Sequence, residues 1–179
     1  LGLEMDDVAS SMRCATKYIA MRFHCGHNLH SLLKDIVALR AESCVQHRPS
    51  YDMIGIYHQT VLNLTGASLS RISLTGEVMT EVHVERCGWY STLHVMLLMK
   101  LLLALYFNEI TVAAELVETI RDQKSAFGSD MFYLPILTWA EALTSLSVSQ
   151  STGKRSHKRY ARKMVHRIER LYASSIFHH

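Results

Sequence analysis

Only two prolines and eight glycines occur in 179 residues. Those residues punctuate turns, so their scarcity predicts long helices joined by short loops. Alternation of apolar and polar residues bounded by turns is also missing, which argues against sheet-based folds. The four cysteines, Cys14, Cys25, Cys44 and Cys87, form no CxxC pair and are too sparse for a disulfide framework. Reduced, buried thiols are the expectation. No charged-then-apolar leader opens the chain, so nothing suggests secretion, and a cytoplasmic location is expected. With 49% hydrophobic and 20% charged residues the composition is globular and not that of a disordered chain. Leu1 in the first position and an end without a stop signal lead to the expectation of a fragment of a longer protein.

What the chain has in abundance is apolar helix. Residues 89–107, WYSTLHVMLLMKLLLALYF, are apolar on nearly every side of a helix, and residues 108–126, NEITVAAELVETIRDQKSA, on one side only. Together they predict a helical hairpin turned around residues 107–109, with Leu98 and Leu102 deep in a core. The first segment has about the length of a membrane span. Lys100 and His94 stand inside it, and a charge near the bilayer centre costs at least about 2.5–3.5 kcal/mol. A buried helix whose Lys100 reaches an edge explains the same residues without that cost, so no membrane span is expected.

Taken in order, the first helix covers residues 5–24, with Val8, Met12, Ala15 and Ile19 facing one way. Asn28 caps a second helix, whose stripe is Leu29, Leu32, Leu33, Ile36 and Val37. Ser50 caps a third, buried through Ile54, Tyr57, Val61 and Leu64 and closed at Gly66. An irregular stretch, 67–75, leads to a short helix over about 77–86. Beyond the central hairpin, Gly128 and Ser129 turn into a seventh helix begun between Asp130 and Pro135, with Phe132, Ile136, Trp139, Ala140, Leu143 and Leu146 inward. Residues 147–153 read as a flexible loop, and a last helix from 154 to about 172 buries Ala161, Val165, Ile168 and Tyr172.

The odd-numbered helices begin near residues 5, 50, 89 and 130, a spacing of about 40. That period predicts an all-α fold of about eight helices, stacked as antiparallel hairpins in a divergent tetratricopeptide-like or α-solenoid array, with residues 1–179 as one helical-repeat domain. The strings IYHQTVLNLTG (56–66), LTGEVMTE (74–81), ALYFNEITVAAEL (104–116), MFYLPILTWAEAL (131–143) and IERLYASSIFHH (168–179) carry a resemblance. In order and spacing the chain resembles the helical-repeat region that follows the AAA-type ATPase module of large multidomain signalling proteins. Those proteins join a serine/threonine-kinase-like domain and the ATPase to this region, and many continue into histidine-kinase or cyclase domains. The resemblance implies a non-catalytic scaffold that relays signals through interdomain or protein–protein contacts. None of the kinase or ATPase motifs lies in these residues, so their chemistry is not carried over.

Local chemistry gives no catalytic, cofactor-binding or metal site. His24, Cys25, His27 and His30 crowd one helix end, but a turn there points them in different directions, whereas zinc needs converging ligands. His83 and Cys87 share a helix face; a catalytic pair needs a third group to orient the base, and nothing in the sequence identifies one. Ser151–Ser156, STGKRS, fails as a phosphate loop, because Val148 and Arg155 stand where Gly and Ser or Thr are required. Glu115, Glu118 and Asp122 read as the wet face of the sixth helix.

Charge is the remaining signal. Residues 154–170 hold Lys154, Arg155, Lys158, Arg159, Arg162, Lys163, Arg167 and Arg170 against a single acid, Glu169. That makes a basic final helix on a mildly acidic body, a candidate interaction surface. Its alternative partner is nucleic acid or another anionic surface, but few aromatic side chains are near for stacking bases, so nucleic acid is not the expected partner.

Overall fold

A computed structural model describes residues 5–42, 47–123 and 132–176, and every regular element among them is helical. Eight helices follow in order: α1 (Met5–His24), α2 (Leu29–Glu42), α3 (Arg48–Thr65), α4 (Glu81–Cys87), α5 (Tyr90–Tyr106), α6 (Ile110–Asp122), α7 (Leu134–Thr152) and α8 (Arg155–Ile176). The chain divides into two compact units, Leu1–Met99 and Lys100–His179. No described helix is long and apolar enough to cross a membrane. The all-α expectation holds, with eight helices as read.

In the first unit α1, α2 and α3 pack on one another. Met12 and Ile19 of α1, Leu32 and Ile36 of α2, and Ile54, Tyr57 and Val61 of α3 are buried, as their spacing requires. Val37 is the exception on α2, half exposed at 50%. Cys14 and Cys25 are exposed, not buried. An Arg22–Asp35 ion pair links α1 to α2.

The third helix begins earlier than Ser50. Arg48 opens it, and Pro49 falls in the first turn, where its missing N–H costs no hydrogen bond. Ser50 is buried inside the helix and its hydroxyl lies 2.9 Å from His47 Nδ1. Gly66 ends α3 in the left-handed region (φ 76°), so that Ala67 N–H reaches back to the Leu62 carbonyl at 2.9 Å, a termination that a Cβ would strain.

Residues 66–80 are irregular but well anchored. The buried Asn63 amide donates to the carbonyls of Arg71 (3.3 Å) and Ser73 (2.9 Å), and Gln59 donates to Ser68 Oγ (3.2 Å). Leu74 is fully buried, and its N–H donates to Glu81 Oε1 at 2.6 Å. The fourth helix starts only at Glu81, later than the expected 77, with the Thr80 hydroxyl accepting from His83 N–H as its cap.

Of α5, Val95 to Met99, Leu101, Leu103 and Ala104 are buried, whereas Leu102 is only half-buried. The aromatic ends, Trp89, Tyr90 and Tyr106, are exposed. In the second unit Asn108 takes a left-handed conformation (φ 60°) at the turn into α6. There α6 packs on α7 and α7 on α8. Ala113, Leu116, Val117 and Ile120 form the inner side of α6, leaving Glu115, Glu118 and Asp122 exposed.

Two expectations fail here. The segment 147–153 is not a loop: α7 runs on to Thr152, and only Gly153 (φ 70°) turns the chain. The apolar stripe read on α7 is only partly inward: Ala140 is buried, and Phe132, Ile136 and Leu143 are half-buried. Trp139 is 49% and Leu146 37% exposed, while Leu137, Thr138, Ala140, Glu141, Thr144 and Ser145 are buried. The expected turn at Gly128 and Ser129 lies outside the described residues.

Small and polar residues occupy that inner side for a physical reason. Thr138 and Thr144 satisfy their hydroxyls on the carbonyls of Leu134 (2.7 Å) and Ala140 (2.9 Å), so they can be buried without loss. Glu141 accepts a 2.7 Å hydrogen bond from Tyr160 of α8, whose ring is covered by the Arg121 guanidinium of α6 at 4.1 Å. This chain of contacts links three helices. Burial and the Glu141 bond push the Tyr160 hydroxyl up to about 12. On α8 the buried pair is Ala161 and Met164; Val165 (42%) and Tyr172 (70%) are exposed, and Ile168 is half-buried. Tyr160→Phe leaves the buried Glu141 without its α8 donor and is expected to cost about 1.5–3 kcal/mol, read as a lower urea midpoint at unchanged slope.

Candidate functional site

The basic helix is built as two opposite faces. Ala161 and Met164 are buried, with His157, Tyr160, Ile168 and Leu171 half-buried around them. At 100° per residue, Arg155, Lys158, Arg159, Arg162, Lys163 and Arg170 fall on the opposite side. These six and Lys154 are exposed, and Arg167 is half-buried at the edge. Arg155, Lys158, Arg159 and Arg162 line a shallow recess of about 320 Å³. The one acid on the helix, Glu169, is held by His166 at 2.9 Å. Among the described residues no carboxylate pairs with any of the eight cations. Such a face is an uncompensated positive field, suited to a partner presenting carboxylate or phosphate. Aromatic side chains for stacking are few: Tyr160 is turned toward Glu141, and of the described aromatics on α8 Tyr172 alone is exposed.

A second cluster lies in the first unit, where α3 and α4 flank a cleft of about 400 Å³. Arg40 of α2 spans it, donating to Tyr51 Oη (2.9 Å) and the Val78 carbonyl (3.3 Å), with its guanidinium 4.6 Å from the Tyr51 ring centre. At the other end the loop returns α4 to α3, so that His83 meets Asp52. The third group that His83 and Cys87 lack in the sequence is thus Asp52, which is buried. Cys87 Sγ lies 3.3 Å from His83 Nε2, and Asp52 Oδ2 lies 3.4 Å from the same nitrogen.

That geometry is not a nucleophile–base–orienter relay. A relay sets the acid on one ring nitrogen and the nucleophile on the other. Here both converge on Nε2, while Nδ1 lies 4.0 Å from the thiol. Arg48 completes the cluster, its Nε 3.1 Å from Asp52 Oδ1 and its Nη2 2.7 Å from His83 Nε2.

The other candidates separate in space. His24 turns inward, 3.3 Å from Tyr57 Oη, and burial holds its pKa down at about 4, while Cys25, His27 and His30 are exposed. Ser151 and Thr152 end α7, Gly153 turns, and Arg155 opens α8, with no strand before them. Among the described residues, fold and sites together define an all-helical arrangement with an uncompensated basic face and a mixed N/O/S cluster. No protein-family profile, no curated protein and no solved structure matches the chain.

Proposed function

We propose that this chain is a non-catalytic helical scaffold that works through protein contacts, and that the outer face of α8 is its docking surface for an acidic protein segment. The observation that carries the reading is the row of eight cations without carboxylate partners among the described residues. A helix that needed only solubility would intersperse acids with its bases. The family resemblance extends the reading: within a large kinase- and ATPase-bearing signalling protein, such a surface would couple the nucleotide-switch module to an output domain, in the cytoplasm. Nucleic acid is the weaker partner, because cations with few stacking aromatics give sequence-blind, salt-sensitive binding.

Titration at about 0.15 M salt with a glutamate-rich peptide and with duplex DNA tests this. The peptide is expected to bind, and Arg159→Glu, Arg162→Glu and Lys163→Glu together to weaken it roughly ten-fold or more, since each exposed pair contributes about 0.2–1 kcal/mol and reversal adds repulsion. DNA binding is expected to vanish at that salt. A submicromolar, sequence-selective DNA complex lost when Arg159, Arg162 and Lys163 become Ala would overturn the proposal.

A further inference from the structure

We propose that Asp52, His83 and Cys87 form a binding site for a borderline-soft divalent cation of the zinc type, with a fourth position open to the cleft. The donors are a carboxylate oxygen, an imidazole nitrogen and a thiol sulfur, and one ligand atom from each lies within 4.8 Å of the others. Zinc bonds of about 2.0–2.3 Å set tetrahedral donors roughly 3.3–3.7 Å apart. The Sγ–Nε2 and Nε2–Oδ2 separations, 3.3 and 3.4 Å, are edges of such a tetrahedron. Three protein ligands with an open fourth position is the arrangement of zinc sites that keep a water or take a further ligand.

The backbone supports this arrangement at each ligand. His83 and Cys87 stand four residues apart on α4, so both project from one face one turn apart. The helix is held in place by the Thr80 cap and by the Glu81 carboxylate on Leu74 N–H. Asp52 comes from the second turn of α3, and its side chain is only 6% exposed. A carboxylate this buried needs a cation beside it. At present that cation is Arg48, half exposed on the first residue of α3. Its Nη2, which can only donate, lies 2.7 Å from His83 Nε2, the nitrogen whose lone pair the imidazole would offer a metal. The guanidinium thus holds the place of the ion and can swing into solvent when the ion arrives. Metal entry then releases one proton from the Cys87 thiol, with the sulfur bound as thiolate.

Cobalt(II) and zinc(II) titrations of the full chain under reducing conditions test the assignment. Cobalt(II) is expected to bind one to one and give a sulfur-to-metal charge-transfer band in the near ultraviolet, displaced by zinc(II). Cys87→Ser should abolish that band, and Asp52→Asn should weaken zinc(II) binding at least about ten-fold. Arg48→Gln, which removes the competing cation, should tighten it. Far-ultraviolet circular dichroism shows whether each variant is folded, and the wild-type band stands independently of them. No charge-transfer band in the wild-type protein, or zinc(II) affinity unchanged in folded Cys87→Ser and Asp52→Asn, would sink the proposal; the latter would move binding to residues such as His27 and His30.

Discussion

Leu98→Asp is expected to abolish cooperative folding. Leu98 is 1% exposed on α5, between Leu97 and Met99, both also buried. The substitution removes a packed isobutyl group, a loss that costs about 2–5 kcal/mol even when Ala replaces it. It also places a carboxylate in the apolar interior, which adds several kcal/mol or forces protonation. The sum approaches the whole stability of an ordinary domain, about 5–15 kcal/mol. Leu102→Asp is the internal comparison. Its half-buried side chain lets a carboxylate turn toward water, so that variant should retain a cooperative transition at a lowered urea midpoint. Equal and mild effects of the two substitutions in urea denaturation would mean that α5 is not the buried helix described.

The contrast between these two leucines shows where sequence reading reaches its limit. Residues 89–107 announce a buried helix through sheer apolar density, but uniform density gives no phase, and Leu98 and Leu102 look alike. Helix ends were legible where their signals are local: α1 spans the residues expected of it and Gly66 ends α3, whereas α7 runs on through the expected loop as far as Thr152. Facing was legible only where the core is aliphatic. On α7 the period of Ile136, Trp139, Leu143 and Leu146 was real, yet the helix turned its small and polar residues to α8. The deciding partner, Tyr160 on Glu141, lies 19 positions away in sequence and has no local signature. The His83–Cys87–Asp52 cluster needed the same kind of long-range closure. A signal for it did exist: Asp52, Ile56, Gln59 and Asn63 form one helical row on α3, and all four are buried. Three polar residues in one buried row mark a face that polar groups must cover, here the 66–80 loop that brings α4 home.

Acid should unfold the first unit before most of its carboxylates are protonated. Burial lowers the His24 pKa from 6.5 to about 4, and burial together with the Arg40 guanidinium does the same to His58. His94, buried on α5, is displaced in the same direction by desolvation. A lowered pKa means that the folded protein holds each ring neutral while the unfolded chain would protonate it. The stabilisation is therefore complete above pH 6.5, falls as pH drops below that value, and is gone once pH passes below about 4. For His24 the shift corresponds to roughly 3 kcal/mol; His58 is nearer to solvent, where screening leaves it less. The neutral His24 ring sits edge-on to Phe23 and Tyr57, at centroid separations of 5.2 and 6.0 Å, so Phe can take its place in that aromatic cluster. His24→Phe is expected to lose the 3.3 Å contact to Tyr57 Oη and to start from a slightly lower stability at pH 7.5. Its urea midpoint should then change less than the wild type's between pH 6.5 and 4, so that the two curves converge or cross. Parallel midpoint-against-pH curves for the two proteins would show that His24 titrates in the folded state as it does in the unfolded chain.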